Sequence, residues 1–255
     1  MGLLRHLIGL PPRRHATLPP GLRVYAIGDV HGRLDLLRPL LGWIAQDSAT
    51  RAAAEVHIVF LGDLIDRGPA SAGVLDLLAI GVDVPGARHI LRGNHEEMLL
   101  AIHDGDASGA SDWLRHGGVE TLSSYGVDAA PFWDDPEGLP LALRIAIPPR
   151  HVALMRAMLE QVRIGDYLFV HAGIRPGVPL DRQAPRDLRW IRREFLRSHA
   201  DHGVVVVHGH TIVPAVDYRF NRIAIDTGAY RTGRLTALGL EGEARWTLTS
   251  RLDPA

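Results

Sequence analysis

Five short apolar stretches each run straight into a loop of glycine and polar, metal-competent residues. Arg23–Ile27 leads into Gly28-Asp29-Val30-His31-Gly32, and Val56–Leu61 into Gly62-Asp63-Leu64-Ile65-Asp66-Arg67-Gly68. His89–Leu91 leads into Arg92-Gly93-Asn94-His95-Glu96, Tyr167–Val170 into His171-Ala172-Gly173, and Val204–Val207 into His208-Gly209-His210-Thr211. The stretches have the length and β-branching of buried strands. In α/β sheets ligands sit outside the carboxyl ends of the strands, so five such loops are expected to share one crevice.

The intervening segments fit that frame. Leu34, Leu37, Leu41 and Ile44 recur with helical spacing, with Pro39 expected in the first turn or at a kink. Helices are also expected over Val74–Ile80 and His95–Ile102, which makes strand–helix three times over, the pattern of parallel βαβ units. From about 103 to 163 the chain changes character, with Trp113, Gly117-Gly118, Trp133 and the acidic-proline stretch Asp134–Glu137. This segment reads as a helical insertion or cap. A helix over Arg186–Arg197 is expected next, followed by strands Ile223–Ile225, Leu235–Leu240 and Ala244–Thr249 as an antiparallel β ending. Residues 1–21 read as an arm and linker, with Leu3, Leu4, Leu7 and Ile8 on one helical face, and 22–255 as one domain.

Composition removes several chemistries. The chain has no cysteine, which excludes disulfides, thiolate zinc sites, iron–sulfur clusters and a cysteine nucleophile. All 28 basic residues are arginine, which excludes Schiff-base catalysis and a Walker-type phosphate loop. A net charge of −1 gives no nucleic-acid footprint. No apolar run reaches the ~18 residues of a membrane span, and Met1–Leu10 lacks a signal-peptide layout, so a cytoplasmic protein is expected.

Asp29 and His31 are one residue apart, which puts both side chains on one side of an extended segment. With Asp63, Asn94, His171 and His210 they form an oxygen–imidazole donor set without sulfur, suited to Mn, Fe, Zn or Co more than to Mg or Ca. Six ligands with one shared carboxylate would hold two divalent metal ions ~3.5–4 Å apart, as in two-metal phosphoryl hydrolases.

The blocks GDVHG, GDLIDRG, GNHE, HAG and GHT, in this order across residues 23–240, resemble the calcineurin-like metallophosphoesterases. They are most similar to the serine/threonine phosphoprotein phosphatase branch with its bacterial and phage members. The resemblance implies a four-layer α/β/β/α sandwich. It places Asp29 and His31 on a first metal, Asp63 as the bridge, and Asn94, His171 and His210 on the second, with His208 ending its strand. It implies attack by a metal-bridging hydroxide, Arg67 and Arg192 (in Trp190-Ile191-Arg192) on the phosphoryl oxygens, and His95 as general acid oriented by Asp66. The expected activity is phosphomonoester hydrolysis on a phosphorylated protein or a small phosphoester.

Three alternatives stand beside this expectation. Dinucleoside polyphosphate hydrolases of the same family typically replace the His of the first block and the Asp of the second, whereas His31 and Asp66 are both present. Phosphodiesterase members often carry a second His two residues past the Gly-His pair, where this chain has Ile212. A non-catalytic scaffold would have eroded ligands.

Other polar residues have ordinary explanations. Arg92 is expected in a loop-ordering ion pair, and Glu96 as a helix N-terminal acid favoured by the dipole. His57, His89, His103, His116, His151, His199 and His202 are expected to be surface or structural. The arginine run from Arg182 to Arg197 is expected to be a solvated helix face.

Overall fold

The computed structural model describes residues 16–81, 84 and 86–251. The apolar helical face expected at Leu3–Ile8 lies outside them.

Ten strands form two five-stranded sheets. The strands are β1 (Leu22–Ile27), β2 (Glu55–Phe60), β3 (Ala87–Ile90), β4 (Gln161–Ile164), β5 (Tyr167–Val170), β6 (Val205–His208), β7 (Asp217–Tyr218), β8 (Arg222–Ala224), β9 (Arg234–Glu241) and β10 (Ala244–Arg251). The first sheet has the order β10-β9-β1-β2-β3 and the second β4-β5-β6-β8-β7. β1, β2 and β3 are parallel, as the strand–helix repetition requires. Helices α1 (Leu34–Thr50), α2 (Ser71–Ile80) and α3 (Asn94–His103) follow them in turn.

The period of two along each strand sorts side chains between layers. Tyr25, Ile27, Ile58 and Phe60 pack with the α1–α3 side chains in one core. Val24, Ala26, Val59 and Leu61 point the other way and meet Tyr167, Phe169, Val205 and Val207 between the sheets. Leu168, Val170 and Val206 face a third core shared with Leu188, Ile191 and Phe195. Three cores between four layers make the α/β/β/α sandwich.

Several expectations shift. The segment after α3 is helical through Arg156 and packs Trp113, Leu122, Leu139, Leu143 and Met155 into the first core, so it is an insertion and not a second domain. It ends earlier than expected, because β4 falls inside 103–163: its four residues are too few for the alternating pattern to stand out. Ala16 and Leu18, read as linker, are buried between the sheets, with the Leu18 N–H donating to the Gly242 carbonyl. The chain's end is not purely antiparallel, since β6 pairs β8 in parallel while β9 and β10 are antiparallel. Pro39 sits in the second turn of a continuous α1. The single helix expected over Arg186–Arg197 is two, Pro185–Trp190 and Arg193–Leu196, broken where Ile191 turns extended and Arg192 takes φ −132°, ψ −90°.

Candidate metal and phosphoryl site

All five loops meet at the carboxyl edge of the two sheets. Their backbone is unusual: among the described residues, the non-glycine positions with positive φ are His31, Asp63, Asp66, Arg67 and His210. Each costs about 1–2 kcal/mol relative to a right-handed conformation. Such strain clusters where side-chain direction matters more than local comfort.

Two triplets of donor atoms share one residue, His31–Asp63–His95 and Asp63–His171–His210, each within 4.8 Å of one another and all buried. Asp63 Oδ2 lies 3.6 Å from His31 Nε2, 3.9 Å from His95 Nε2 and 3.4 Å from His171 Nε2. Asn94 Oδ1 and His210 Nδ1 stand 3.1 and 3.2 Å from His171 Nε2. Asp29 accepts the His210 N–H on Oδ2 at 2.9 Å, while its Oδ1 is buried without a partner. Two glycines make room for these carboxylates. A Cβ on Gly209 would stand 2.0 Å from Asp29 Oδ1, and one on Gly93 2.1 Å from Asp63 Oδ1.

This donor set fits divalent cations. The Nδ1 atoms of His31 and His171 lie 2.8 Å from the Ile65 and Leu61 carbonyls, so they carry the protons and leave the Nε2 lone pairs facing inward. Lone pairs on imidazole, amide and carboxylate crowd one small volume, and Asp29 Oδ1 has nothing else to bind.

The His171 Nε2 lone pair is also strongly basic, so a proton competes with a cation for it. Burial opposes a charge on His171, yet the adjoining Asp63 carboxylate raises its pKa to about 10. Asp63 itself, despite burial, is held well below the usual carboxylate range by His171 and His95. His31 goes the other way: burial lowers it to about 3 and keeps it neutral. Burial, followed by the charge of Asp226, raises Asp29.

The remaining expected residues also arrive here. His95 is 2 % exposed and its Nδ1 donates to Asp66 Oδ2 at 2.6 Å. Burial works against its charge, but Asp63 and then Asp66 outweigh it and raise the pKa. Arg67 donates to His31 Nε2 at 2.8 Å, and Arg192 to His210 Nε2 at 2.9 Å, one arginine on each side of the cluster. His208 ends β6 but stays out of the cluster, edge-on to Phe195 with ring centroids 5.1 Å apart.

Some of the residues given ordinary explanations behave differently. Glu96 is fully buried and accepts the N–H groups of Asp63, Leu64, Ile65 and Gly93, bracing one ligand loop against the next. Among the described residues Arg92 makes no ion pair; its guanidinium donates to the Met155 and Arg156 carbonyls at a helix end. Within the arginine run, Arg189 is buried next to Leu188 on the inner face of the Pro185–Trp190 helix and paired with Glu97 and Glu160. His151 is structural, between Asp76 and Tyr125. His57 and His89 form a stacked pair.

Four residues at the site escaped the sequence reading. Asp226, with its pKa raised to about 6 chiefly by burial, follows β8 in a sixth glycine-bearing loop, so the strand-end criterion would have found it. Tyr230 lies with its ring 4.7 Å from the Arg67 guanidinium carbon and edge-on to His31 at 5.2 Å. Trp113 and Thr121, from the insertion, both bond Asp66. No local pattern marks these last three, since each is recruited by a distant turn.

The calcineurin-like phosphoesterase family model matches residues 22–237, and the chain belongs to that family. It is 35% identical over 112 residues to a symmetrical bis(5'-nucleosyl)-tetraphosphatase of Thioalkalivibrio sulfidiphilus, a match covering 37% of this chain and 38% of that one. It is 26% identical over 235 residues to an asymmetrical bis(5'-nucleosyl)-tetraphosphatase of Geobacillus thermodenitrificans, covering 85% of this chain and 90% of the relative. A crystal structure described as a putative diadenosine tetraphosphatase superposes with a TM-score of 0.61 at 22% identity, covering 92% of this chain and 98% of that one.

Proposed function

We propose that the protein is a two-metal phosphomonoesterase acting on serine or threonine phosphate esters. The observation that carries this reading is the His95–Asp66 pair, buried together beside Asp63. A serine or threonine alkoxide is a poor leaving group and needs a proton as it departs. A nucleotide phosphate leaves readily without one.

Asp29, His31, Asp63, Asn94, His171 and His210 would hold two divalent cations, Mn foremost given the mixed oxygen–imidazole set. When bound, the cations supply an activated water and neutralise phosphoryl charge. Arg67 and Arg192, flanking the cluster, grip the equatorial oxygens from two sides. The water gives up one proton to solvent as its oxygen bonds to phosphorus and the phosphorus–ester bond breaks. The departing ester oxygen keeps the electron pair and takes the proton from His95 Nε2. Asp66 holds the Nδ1–H of the now neutral ring, which recovers its proton from solvent.

A second reading, hydrolysis of dinucleoside tetraphosphates, is supported by the names of the two curated relatives. Turnover of phosphoserine, phosphothreonine and phosphotyrosine peptides, ATP and diadenosine tetraphosphate with Mn added decides between them. The phosphoserine and phosphothreonine peptides should be turned over fastest. A rate on diadenosine tetraphosphate well above all monoesters would overturn the proposal in favour of the second reading.

A further inference from the structure

The helical insertion grips Asp66 through Thr121 and Trp113. Asp66 Oδ1 accepts from Thr121 Oγ1 at 2.6 Å, and Thr121 Oγ1 in turn accepts the Asp66 N–H at 3.0 Å. Its Oδ2 accepts from Trp113 Nε1 at 2.9 Å and from His95 Nδ1 at 2.6 Å. Trp113, Thr121 and Asp66 are all fully buried. The next residue is held by the same turn, since the Arg67 N–H donates to the Gly117 carbonyl at 3.1 Å. Asp66 and Arg67 both have left-handed backbones, with φ near 70°, which surrounding packing must sustain; the Asp66 N–H is shared between Thr121 Oγ1 and Ser71 Oγ, both at 3.0 Å.

We propose that Trp113 and Thr121 are positioning residues for His95, clamping Asp66 from the insertion so that the ring aims Nε2 at the leaving oxygen. The inference rests on the reading of His95 as general acid. A carboxylate with both oxygens occupied and its backbone N–H bound by the same hydroxyl has one orientation. The ring that donates to it inherits that orientation. The insertion, outside all five blocks, thereby completes the proton-donating part of the site. Groups that orient a reactive side chain without touching substrate typically contribute about 10–100-fold.

The test compares Thr121→Val, Thr121→Ser, Trp113→Phe, His95→Asn and the Thr121→Val/His95→Asn double variant, each Mn-loaded with metal content measured. The substrates are a phosphoserine peptide and 4-nitrophenyl phosphate. Thr121→Val and Trp113→Phe should each lower kcat on the peptide about 10-fold. They should leave KM and metal content unchanged and cost about 3-fold or less on the aryl ester, which scarcely needs the proton. Thr121→Ser keeps the hydroxyl and should stay near the native rates. In the double variant Thr121→Val should add nothing to His95→Asn, because both act on one step. Trp113→Phe, which deletes one N–H and keeps most of the packing, serves if Thr121→Val does not fold. Equal losses on both substrates, or additive loss in the double variant, would overturn the clamp. If His95→Asn discriminates between the substrates and the two clamp variants do not, the clamp alone fails. If His95→Asn costs both equally, or the native protein does not hydrolyse the peptide, the reading of the site falls and the clamp with it.

Discussion

The two sides of the site surround their histidines differently. On the side of the first sheet, His31 and His95 stand on loops after β1 and β3, surrounded by Asp66, Arg67, Tyr230 and the insertion. On the side of the second sheet, His171 and His210 follow β5 and β6, with backbone, Asn94, Asp29 and Arg192 around them. Burial drives His31 down to about 3, while Asp63 holds His171 up at about 10. The second side is a concentration of donor groups around Asp63, where a cation would take the place of the His171 Nε2 proton. The first adds to the same motif a hydrogen-bonded imidazole with a fixed carboxylate behind it, which suits moving a proton. Asp63 belongs to both, so the two sides share one carboxylate and differ in what surrounds it.

The largest effect should come from breaking what they share. Asp63→Asn is expected to strip metal from both sides and lower turnover beyond the roughly 100-fold limit typical of groups that merely orient a ligand. Elemental analysis alongside steady-state rates checks this, and a variant with two bound metals and near-native turnover would show that Asp63 is not the bridge. His95→Asn tests the first side alone. It should cost about 10²–10⁴-fold in kcat on a phosphoserine peptide and much less on 4-nitrophenyl phosphate, with metal content intact. Equal losses on the two esters would remove the functional asymmetry.

The arginines should behave alike despite sitting on opposite sides. A charge-assisted hydrogen bond contributes ~1.5–3 kcal/mol, so Arg67→Ala and Arg192→Ala should each reduce kcat/KM about 10–100-fold on both substrates. A leaving-group dependence in either variant would mean that the arginine serves the proton and not the phosphoryl oxygens. Tyr230→Leu should be the mildest change. Losing a cation–π contact of ~0.5–1 kcal/mol at Arg67 should lower kcat/KM about 2–5-fold, with Tyr230→Phe near native. A larger loss in Tyr230→Phe would assign the work to the hydroxyl.

Much of this was legible in the chain itself. The β1 and β2 stretches show their strand character because apolar β-branched runs end abruptly at glycine, and the polar residues after each end sit at one sheet edge. That local coding placed Asp29, His31, Asp63, Asn94, His171 and His210 at one crevice, and the resemblance separated His210 from His208. Glu96 sits, as expected, in the first turn of α3, where it caps the Gly93 N–H; only the loop packed above it reveals that the same carboxylate also accepts from Asp63, Leu64 and Ile65.

Sequence by itself determined the donor set, the strand-end loops and the absence of cysteine and lysine chemistry, because those depend on residue type and on periods of two and 3.6. Tertiary structure alone decided what stands behind each donor. Trp113 and Thr121 are 47 and 55 residues from Asp66, and His210 is 181 residues from the Asp29 carboxylate that its N–H bonds. No short-range pattern encodes such pairings. They follow from how the insertion docks on α2 and α3 and from how one sheet is laid across the other. The left-handed backbones at Asp66 and Arg67 belong to the same class, since neither residue prefers that conformation and only the surrounding packing sustains it.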